Sequence, residues 1–393
     1  MQTQRTPPCA VTALLLLIGC THWGDKPAAV QGAVYELEGQ KFTVQTVASG
    51  LYIPWALAWT PDGRLLITQR DGRLMVLDAG ADNARLLAQI PGVEHAGERG
   101  LMGMALSPQF NKDRLLYLSL TTRKEGRLVN RIVRFELAEG GLGAPTVILD
   151  DLPAQDYHDG LPLRFGPDGK LYASTGDAGR RQQAQRMDSL AGKFIRLNGD
   201  GSIPADNPFP ASPIWTLGHR NCQGFDWQKS TGILIATEHG PSFGVEPWSG
   251  GDELNWIVKG RNYGWPIVHN SYEGRERSMQ PPLKVWGDPA IAPAGGCFCS
   301  GRKFPAWKDK FFFSTLRGQR IFCATLDVIR NSAGEVSDVR VARISEALSQ
   351  QFGRLRAIAE GPDGCLYVTT SNRDHRGESA PDDDRVLKLA PAQ

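Results

Sequence analysis

The chain has 393 residues, of which 41% are hydrophobic and 22% are charged, and its formal net charge is +2. This length and apolar content indicate a globular protein with an ample hydrophobic core. The near-balance of acidic and basic residues argues against a nucleic-acid-binding protein, whose surface would carry a large basic excess.

The N-terminal segment has the pattern of an export signal. Arg5 precedes an apolar run, Val11–Ile18, which is too short to span a bilayer but has the length found in secretory signals. The sequence Leu17-Ile18-Gly19-Cys20 resembles a bacterial lipobox, which implies that Cys20 becomes a lipidated mature N-terminus. A plain signal peptide is the alternative. Both interpretations place the mature protein outside the cytoplasm, and the lipobox predicts a periplasmic protein anchored to the cell envelope.

Beyond about residue 40, one unit repeats along the chain: a short apolar run, a turn rich in Pro, Gly and Asp, and further runs of β-forming residues. The six turns or turn-like spacers are Pro61–Gly63, Phe110–Asp113, Gly166–Gly169, Gln228–Gly232, Trp307–Asp309 and Gly361–Gly364. Such spacing is typical of the blades of a β-propeller, so the sequence predicts an all-β, six-bladed β-propeller. A β-sandwich would also contain short strands, but it would not show six similar units.

The predicted domain organisation has three parts. Residues 1–19 form a lipoprotein-type signal peptide, residues 20–40 form a polar tether, and residues 41–393 form the propeller. Within the propeller, Ser345–Gln350 is the one segment with a helical pattern.

Five cysteines remain beyond the N-terminal region, and their spacing matches neither Cys-x-x-Cys nor His-x-x-x-His. They are Cys222, Cys297, Cys299, Cys323 and Cys365. Spacing therefore predicts no zinc site. Cys297 and Cys299 are either partners in disulfides or buried thiols at alternate positions of a strand.

The stretch Tyr157–Gly179 predicts a β-hairpin around the turn Gly166–Gly169. If the turn is centred on Pro167 and Asp168, His158 lies opposite Asp177 at the open end of the hairpin. The carboxylate can then orient the imidazole as a base. The alternative is that both side chains cap strand ends in water.

Polar residues recur about eight positions before or after the predicted turns, where the strands of a propeller meet at one mouth of the central channel. This rule gathers His158, Asp177, Arg220, Arg317, Arg354 and Arg356. Each arginine alone could be a solvated charge at a strand edge. Together they form a guanidinium cluster that binds carboxylates or phosphates bidentately, so the expected ligand is a small polyanion.

The segment Glu238–Tyr263 carries four carboxylates and several glycines. Carboxylate and carbonyl oxygens are the ligands that Ca²⁺ prefers, so this segment is a candidate calcium loop. Asp252 and Glu253 could equally be turn residues.

Motifs spread in order over the chain, from about Pro54 to Leu389, resemble those of one known family: the soluble pyrroloquinoline-quinone (PQQ)-dependent aldose sugar dehydrogenases, also called the glucose/sorbosone dehydrogenase family. The matching segments include Gly97–Leu101, His158-x-Gly160, Phe165–Gly169, Thr175–Asp177, Gly192–Leu197, Gly201–Pro208, Gly218–Gly224, Glu238–Pro241, Gly251–Asn255, Asn262–Pro266 and Arg354-x-Arg356. The resemblance implies a six-bladed propeller that oxidises the anomeric hydroxyl of an aldose to a lactone, with hydride transfer to PQQ.

The same resemblance implies roles for individual residues. His158 would be the general base, oriented by Asp177, and Arg220 and Asn221 would lie against the carbonyl edge of PQQ. The three carboxylates of PQQ would be bound by three arginines, which are Arg317, Arg354 and Arg356.

The resemblance also implies two calcium sites. The backbone oxygens of Gly240 and Pro241 would hold the calcium that polarises the quinone, and Glu253 with the carbonyl of Tyr263 would hold a structural calcium. The expected partners are an aldose substrate and an electron acceptor in the cell envelope, without nucleic acid, and with membrane contact only through Cys20.

Several residues depart from the family pattern. Glu98 stands where a cofactor-binding Gln is usual, and a carboxylate near a polyanion must be protonated or paired, with Arg99 as the adjacent candidate. Arg317 replaces a Lys, Cys222 replaces a Pro, Leu161-Pro162 replaces Gly-Arg, and Ser242–Ser249 is an insertion. Two alternative functions stay open. One is a calcium-dependent lactone or ester hydrolase on a propeller, against which the arginine cluster argues. The other is an envelope propeller without cofactor that binds a polysaccharide or protein, which Glu98 and the insertion favour.

Overall fold

The structure, a computed structural model, describes residues 32–241, 250–268 and 278–392. Within these ranges six antiparallel sheets form the blades of a β-propeller, as the repeat predicted. The predicted signal peptide, Cys20 and the insertion Ser242–Ser249 lie outside the described residues.

The N-terminal hairpin consists of β1 (Val34–Leu37) and β2 (Gln40–Ala48). The first two blades contain β3 (Pro54–Trp59), β4 (Leu65–Gln69), β5 (Arg73–Leu77) and β6 (Arg85–Gln89), then β7 (Leu101–Leu106), the single-turn helix α1 (Phe110–Asp113), β8 (Leu115–Lys124), β9 (Arg127–Ala138), β10 (Gly141–Leu142) and β11 (Thr146–Pro153).

The third blade contains β12 (Leu163–Phe165), β13 (Leu171–Thr175), the 3₁₀ turn Arg181–Gln185, β14 (Lys193–Leu197) and β15 (Ile214–Leu217). The fourth contains β16 (Cys222–Trp227), β17 (Leu234–Glu238), β18 (Asp252–Ile257) and β19 (Lys284–Trp286). The fifth contains β20 (Pro293–Phe298), the 3₁₀ turn Pro305–Trp307, β21 (Phe311–Thr315), β22 (Ile321–Arg330) and β23 (Val336–Ala347). The sixth contains β24 (Leu355–Glu360), β25 (Leu366–Thr370) and β26 (Val386–Pro391).

The two ends of the chain close the ring. Strand β2 pairs antiparallel with β26, so the sixth sheet has the order β1-β2-β26-β25-β24. Leu37 and Phe42 are buried against Trp307, whose Nε1 donates a hydrogen bond of 2.9 Å to the carbonyl of Leu37. The propeller therefore begins at Val34, and the boundary predicted at residue 41 falls inside this sheet.

All six predicted turns connect the first and second strands of a blade. The helical pattern at Ser345–Gln350 was a wrong prediction. Residues up to Ala347 belong to β23, and Ser345 and Ala347 pair with Cys323 and Ile321 of β22. Pairing along this long hairpin decides the local conformation, because helix propensity over so few residues is a weak preference.

The central hairpin forms, but its register differs by one residue from the prediction. Phe165 faces Leu171, and the closing contact is the hydrogen bond of 2.9 Å from Gly166 N to the carbonyl of Lys170. Gly169 adopts a φ of 70°, so the loop has three residues rather than two. The extra turn residue shifts every pair of the ladder.

The large side chains of the core lie between neighbouring blades. Phe311, Phe312 and Phe313 on β21 are all fully buried, because a blade packed on both faces has no solvent-exposed side. All five cysteines of the described part of the chain are free and buried, which supports the interpretation as buried thiols. Within that part, no helix has the length and apolar character needed to cross a bilayer.

Candidate active site

One mouth of the central channel collects the residues that precede the first strands and follow the second strands of the blades. A cavity of about 490 Å³ extends along the channel. Trp55, Gln223 and Arg356 line both this cavity and a narrower one at the mouth, so they form the floor of the mouth. His158 and Asp177 do not line the larger cavity; they lie next to the narrower one, whose lining includes Glu98, the partner of the His158 backbone N–H.

His158 and Asp177 form a direct hydrogen bond of 2.6 Å between Nδ1 and Oδ1, as the sequence predicted. The imidazole is 13% exposed and the carboxyl is fully buried. Asp177 accepts this bond as a carboxylate, so the proton resides on Nδ1 and Nε2 is the acceptor atom of the ring. The pair is therefore arranged as an oriented base.

Backbone contacts hold His158 in place. Its φ is 58°, a left-handed conformation, and its backbone N–H donates to Oε2 of Glu98 at 2.9 Å. A Cβ at Gly176 would lie only 1.8 Å from the carbonyl oxygen of His158, so the close approach of the two segments requires glycine there.

Asp177 accepts two further hydrogen bonds. Trp265 Nε1 donates to Oδ2 and Gly179 N donates to Oδ1, both at 2.8 Å. Burial alone would raise the pKa of Asp177, but the hydrogen bond and charge of His158 and the charge of Arg220 outweigh it and lower the pKa. The carboxylate therefore stays ionised beside the imidazole.

Glu98 forms an ion pair with Arg376, with 2.8 Å between Oε1 and Nη1. Burial would raise the pKa of Glu98, but the charge of Arg376, followed by that of His158, lowers it well below the usual range. The partner expected from the sequence, Arg99, instead pairs with Asp156. Glu98 is therefore ionised, and its charge is balanced by an arginine of another blade and not by its neighbour in sequence.

Arg354 and Arg356 lie side by side at the start of β24. Nε and Nη2 of Arg354 lie 2.9 and 2.8 Å from Oδ2 of Asp374. Arg356 donates to Ser371 and Gln223 at 3.2 and 3.5 Å, and its Nη2 lies 3.9 Å from Asp374.

Burial, reinforced by neighbouring arginines, lowers the pKa of Arg356 to about 9. The mouth therefore holds buried positive charge that an anion would stabilise.

Two further arginines, Arg70 and Arg317, lie near this pair. Arg70, at the end of β4, is buried, and burial lowers its pKa; its Nη1 donates to the carbonyl of Gly97 at 2.7 Å. Arg317 follows β21, next to Leu316 in the lining of the mouth, and its side chain is exposed. Arg70 thus joins the buried cluster, and Arg317 lies at its rim.

Arg220 and Asn221 precede β16 in the same mouth. The guanidinium of Arg220 lies 5.5 Å from the ring centroid of Trp265, and its Nη1 donates to the carbonyl of His239 at 3.1 Å. Asn221 Oδ1 accepts from Gly160 N at 3.2 Å. Within the described residues, Asn221 Nδ2 and His239 Nε2 are buried without a hydrogen-bond partner. Two orphaned polar atoms here indicate a polar ligand.

The residues of the candidate calcium loop lie beside blade four. Gly240 N donates to Asp252 Oδ1 at 2.8 Å, and the carbonyl of Pro241 accepts from Gly250 N at 3.0 Å. Glu253 is half-buried, and burial together with neighbouring Glu238 raises its pKa to about 8.

One amide donates to both of these carboxylates: Asn255 Nδ2 lies 3.2 Å from Glu238 and 3.0 Å from Glu253. The ring of Tyr263 stacks on His219 at 4.4 Å. Two carboxylates held side by side favour a cation nearby.

The sequence profile of the family described as Glucose / Sorbosone dehydrogenase matches residues 51–378. The chain belongs to this family. Glucose/sorbosone dehydrogenase relatives are found among both characterised sequences and solved structures. The aldose sugar dehydrogenase YliI of Escherichia coli K12 is 32% identical over 371 residues, which cover 88% of this chain and 92% of that protein.

Two other relatives of the glucose/sorbosone dehydrogenase family match the chain, one over most of its length and the other over about two thirds of it. The PQQ-bound aldose sugar dehydrogenase of Streptomyces coelicolor superposes with a TM-score of 0.76 and 34% identity, covering 89% of this chain and 98% of that one. Quinoprotein glucose dehydrogenase B of Acinetobacter calcoaceticus is 34% identical over 292 residues, 66% of this chain and 59% of that protein. Membership of the family indicates a sugar dehydrogenase on a PQQ-type propeller.

Four residues of the mouth were missed by sequence reasoning: Arg70, Trp265, Asp374 and Arg376. Arg70 follows β4 directly, as Asp177 closely follows β13, so the positional rule would have found it if applied to the first blade. Asp374 and Arg376 lie farther beyond their strand, β25, than Arg70 and Asp177 lie beyond theirs, so the rule would not have found them. Trp265 lies within a recognised motif, but nothing in the sequence indicated that its indole N–H contacts Asp177.

Proposed function

We propose that this protein oxidises the anomeric hydroxyl of an aldose to a lactone, with PQQ as the acceptor of the hydride. The observation that carries the proposal is the hydrogen bond of 2.6 Å between His158 Nδ1 and Asp177, located beside a cluster of buried arginines. Such a pair supplies a base, and such a cluster recognises a polycarboxylate.

The residues of the mouth fit PQQ. Its three carboxylates need cationic partners, and buried Arg356 and Arg354 lie together at the floor and side of the mouth, with Arg317 at the rim. Its ring carbonyls need donors, and the buried Nδ2 of Asn221 has no partner among the described residues. Glu98 does not oppose binding, because Arg376 neutralises it.

The proposed chemistry divides between the protein and the cofactor. PQQ, when bound, supplies the electron sink that accepts the hydride from the anomeric carbon. His158 takes the proton of the anomeric hydroxyl at Nε2, while Asp177 keeps Nδ1 protonated and stabilises the imidazolium that forms. Trp265 and Gly179 hold the Asp177 carboxylate in this orientation through their hydrogen bonds.

Two groups of oxygen atoms support a proposal for calcium. The backbone oxygens of Gly240 and Pro241 would hold an ion near the mouth, and the Glu253 carboxylate with the Tyr263 carbonyl would hold a second ion. The raised pKa of Glu253, about 8, is caused by burial and by Glu238, and a bound cation would remove that penalty.

The purified protein is titrated with PQQ in the presence and absence of Ca²⁺, and a panel of aldoses is then added with an artificial dye as electron acceptor. We expect stoichiometric, calcium-dependent binding and sugar-driven dye reduction. His158→Ala should keep PQQ binding and lose at least about 100-fold in kcat, while the exposed His95→Ala control should match the wild type. Unchanged turnover in His158→Ala contradicts the assignment of the base. Failure of PQQ to bind at micromolar concentration favours an envelope binding protein.

We propose further that the protein is attached to the cell envelope through Cys20 and passes electrons to an acceptor there. The support is the apolar run and the lipobox-like sequence that ends at Cys20. Mass spectrometry of the exported protein is the test. A diacylglyceryl cysteine at the new N-terminus is expected, and cleavage elsewhere without lipid contradicts the anchor.

A further inference from the structure

A cluster of three metal-ligating side chains lies beneath the mouth, outside the residues assigned above to PQQ or calcium. Nδ1 of His219, Sγ of Cys222 and Oε2 of Glu238 all lie within 4.8 Å of one another. The three pairwise distances are 2.9 Å for nitrogen to oxygen, 3.1 Å for sulfur to oxygen and 3.7 Å for sulfur to nitrogen. All three residues are buried.

We propose that these three side chains bind a Zn²⁺ ion. The ligands of a tetrahedral zinc site lie about 2.0 to 2.3 Å from the metal and hence roughly 3.3 to 3.7 Å from one another. The observed triangle is within about half an ångström of that spacing. Zinc accepts nitrogen, sulfur and oxygen ligands together, whereas calcium takes oxygen ligands alone, so the thiol favours zinc over calcium.

The hydrogen bond of the second ring nitrogen of His219, Nε2, is compatible with metal binding at Nδ1. Nε2 lies 2.8 Å from Oγ1 of Thr216, which accepts a hydrogen bond from Nε2–H when the ring carries its proton there. Nδ1 is then unprotonated and directed at Cys222 and Glu238. Metal binding releases the thiol proton of Cys222 to solvent, and no oxidation takes place.

A fourth ligand is available in Asn255, which is fully buried. Its Nδ2 lies 3.2 Å from the same Oε2 of Glu238, and its Oδ1 has no hydrogen-bond partner among the described residues. Rotation of this amide by half a turn puts the oxygen where the nitrogen now lies, next to Oε2 of Glu238, and makes it available as a fourth ligand. The orphaned oxygen belongs to a buried amide whose nitrogen contacts Glu238, and this is a second, independent indication of a cation next to the cluster.

The location of the cluster defines what the metal would do. His219 and Cys222 flank Arg220 and Asn221 in sequence, and Glu238 also accepts a hydrogen bond from the backbone N–H of Arg220. An ion here would fasten the start of β16 to the end of β17, directly below two residues of the mouth. The zinc site is structural, and it does not depend on the proposed dehydrogenase activity.

Cobalt provides the decisive probe, because a cobalt ion bound by a thiolate has a charge-transfer absorption that oxygen-bound cobalt lacks. The full chain is produced in medium supplemented with Zn²⁺ or Co²⁺, and metal content and absorption are measured. We expect about one ion per chain and a thiolate band in the wild type. Cys222→Ala should lose the band and at least about tenfold in retained zinc, whereas the equally buried Cys323→Ala should keep both.

The conservative variant Cys222→Ser covers the case in which Cys222→Ala fails to fold, and it should also lose the thiolate band. A wild-type protein that retains no zinc and shows no thiolate band overturns the proposal. A band that persists in the Cys222 variants or disappears in Cys323→Ala overturns it as well. Calcium at Glu253 cannot produce the band, so the two metal proposals are tested separately.

Discussion

Glu98 and Arg376 form an ion pair, with 2.8 Å between Oε1 and Nη1, that joins the segment before β7 of the second blade to the connection between β25 and β26 of the sixth. The other carboxylate oxygen of Glu98 accepts the backbone N–H of His158. One side chain therefore connects three blades around the mouth. This contact explains how the protein carries a carboxylate beside a site proposed for a polyanion.

Removal of Arg376 should weaken PQQ binding. In Arg376→Ala the Glu98 carboxylate keeps its charge and loses its cation, so we expect the Kd for PQQ to rise about tenfold. The double variant Glu98→Gln/Arg376→Ala removes that charge and retains an oxygen for the His158 N–H, so its Kd should return toward the wild-type value. Titration with PQQ absorbance as the signal measures all three proteins.

The exposed Arg340→Ala on β23 serves as the control for loss of an arginine, and its Kd should not change. Equal affinities for Arg376→Ala and Arg340→Ala would show that the ion pair has no influence on the cofactor site.

Asp177→Asn tests the orientation of the base. An amide at this position presents N–H groups to the imidazole and favours the tautomer with the proton on Nε2, which cannot accept the substrate proton. We expect kcat to fall by about 100-fold or more, with PQQ binding retained. Steady-state kinetics measure kcat, and Asp188→Asn, at an exposed ion pair with Arg186, controls for loss of a carboxylate. Wild-type kcat in Asp177→Asn would exclude the orienting role.

Tyr157 is an exposed aromatic residue that packs edge-on against His158, with 4.9 Å between ring centroids. We expect this ring to form an apolar surface for the sugar beside the base. Tyr157→Ala should raise KM about five- to tenfold and change kcat less, because the loss is mainly one of ground-state contact. Tyr157→Phe keeps the ring and should keep the wild-type KM. An unchanged KM in Tyr157→Ala contradicts this role.

Asp159 should make the folded state less stable as the pH rises from about 4 to about 7. Its Oδ1 accepts hydrogen bonds of 2.9 Å from Asn130 and from Gln155 N, and burial raises its pKa to about 7. In this interval the native state binds a proton that the unfolded state has lost. The free energy of unfolding therefore falls with pH, by up to about 1.4 kcal/mol per pH unit from this group.

Urea unfolding across this pH interval measures the slope. Asp159→Asn has no titrating group at this position and should show a shallower fall than the wild type, while the exposed Asp82→Asn should follow the wild type. Parallel curves for Asp159→Asn and the wild type would show that Asp159 titrates normally.

The fold could be predicted from the sequence because a propeller blade is a local structure. Each blade consists of consecutive strands joined by short turns. The alternation of apolar runs and turns such as Gly166–Gly169 therefore predicts each blade directly. His158 and Asp177 could be paired in advance for the same reason, since both belong to one hairpin. The register error of one residue did not separate them, because the pair lies beyond the ladder and is held by Glu98 and Trp265.

The contacts between blades could not be predicted, because they depend on how six sheets close into a ring. Glu98 and Arg376 are 278 positions apart, and only the closure of the sixth blade by β2 and β26 brings them together. The proposed zinc cluster also depends on a contact that the sequence does not reveal, although its residues are closer together in the sequence. His219 and Cys222 are near neighbours in the chain, but Glu238 joins them only when β17 folds back on β16. The sequence determined the blades and the types of side chain at their ends. The tertiary structure decided which of those side chains meet, because hydrogen-bonding order within a blade is local and the arrangement around the channel is not.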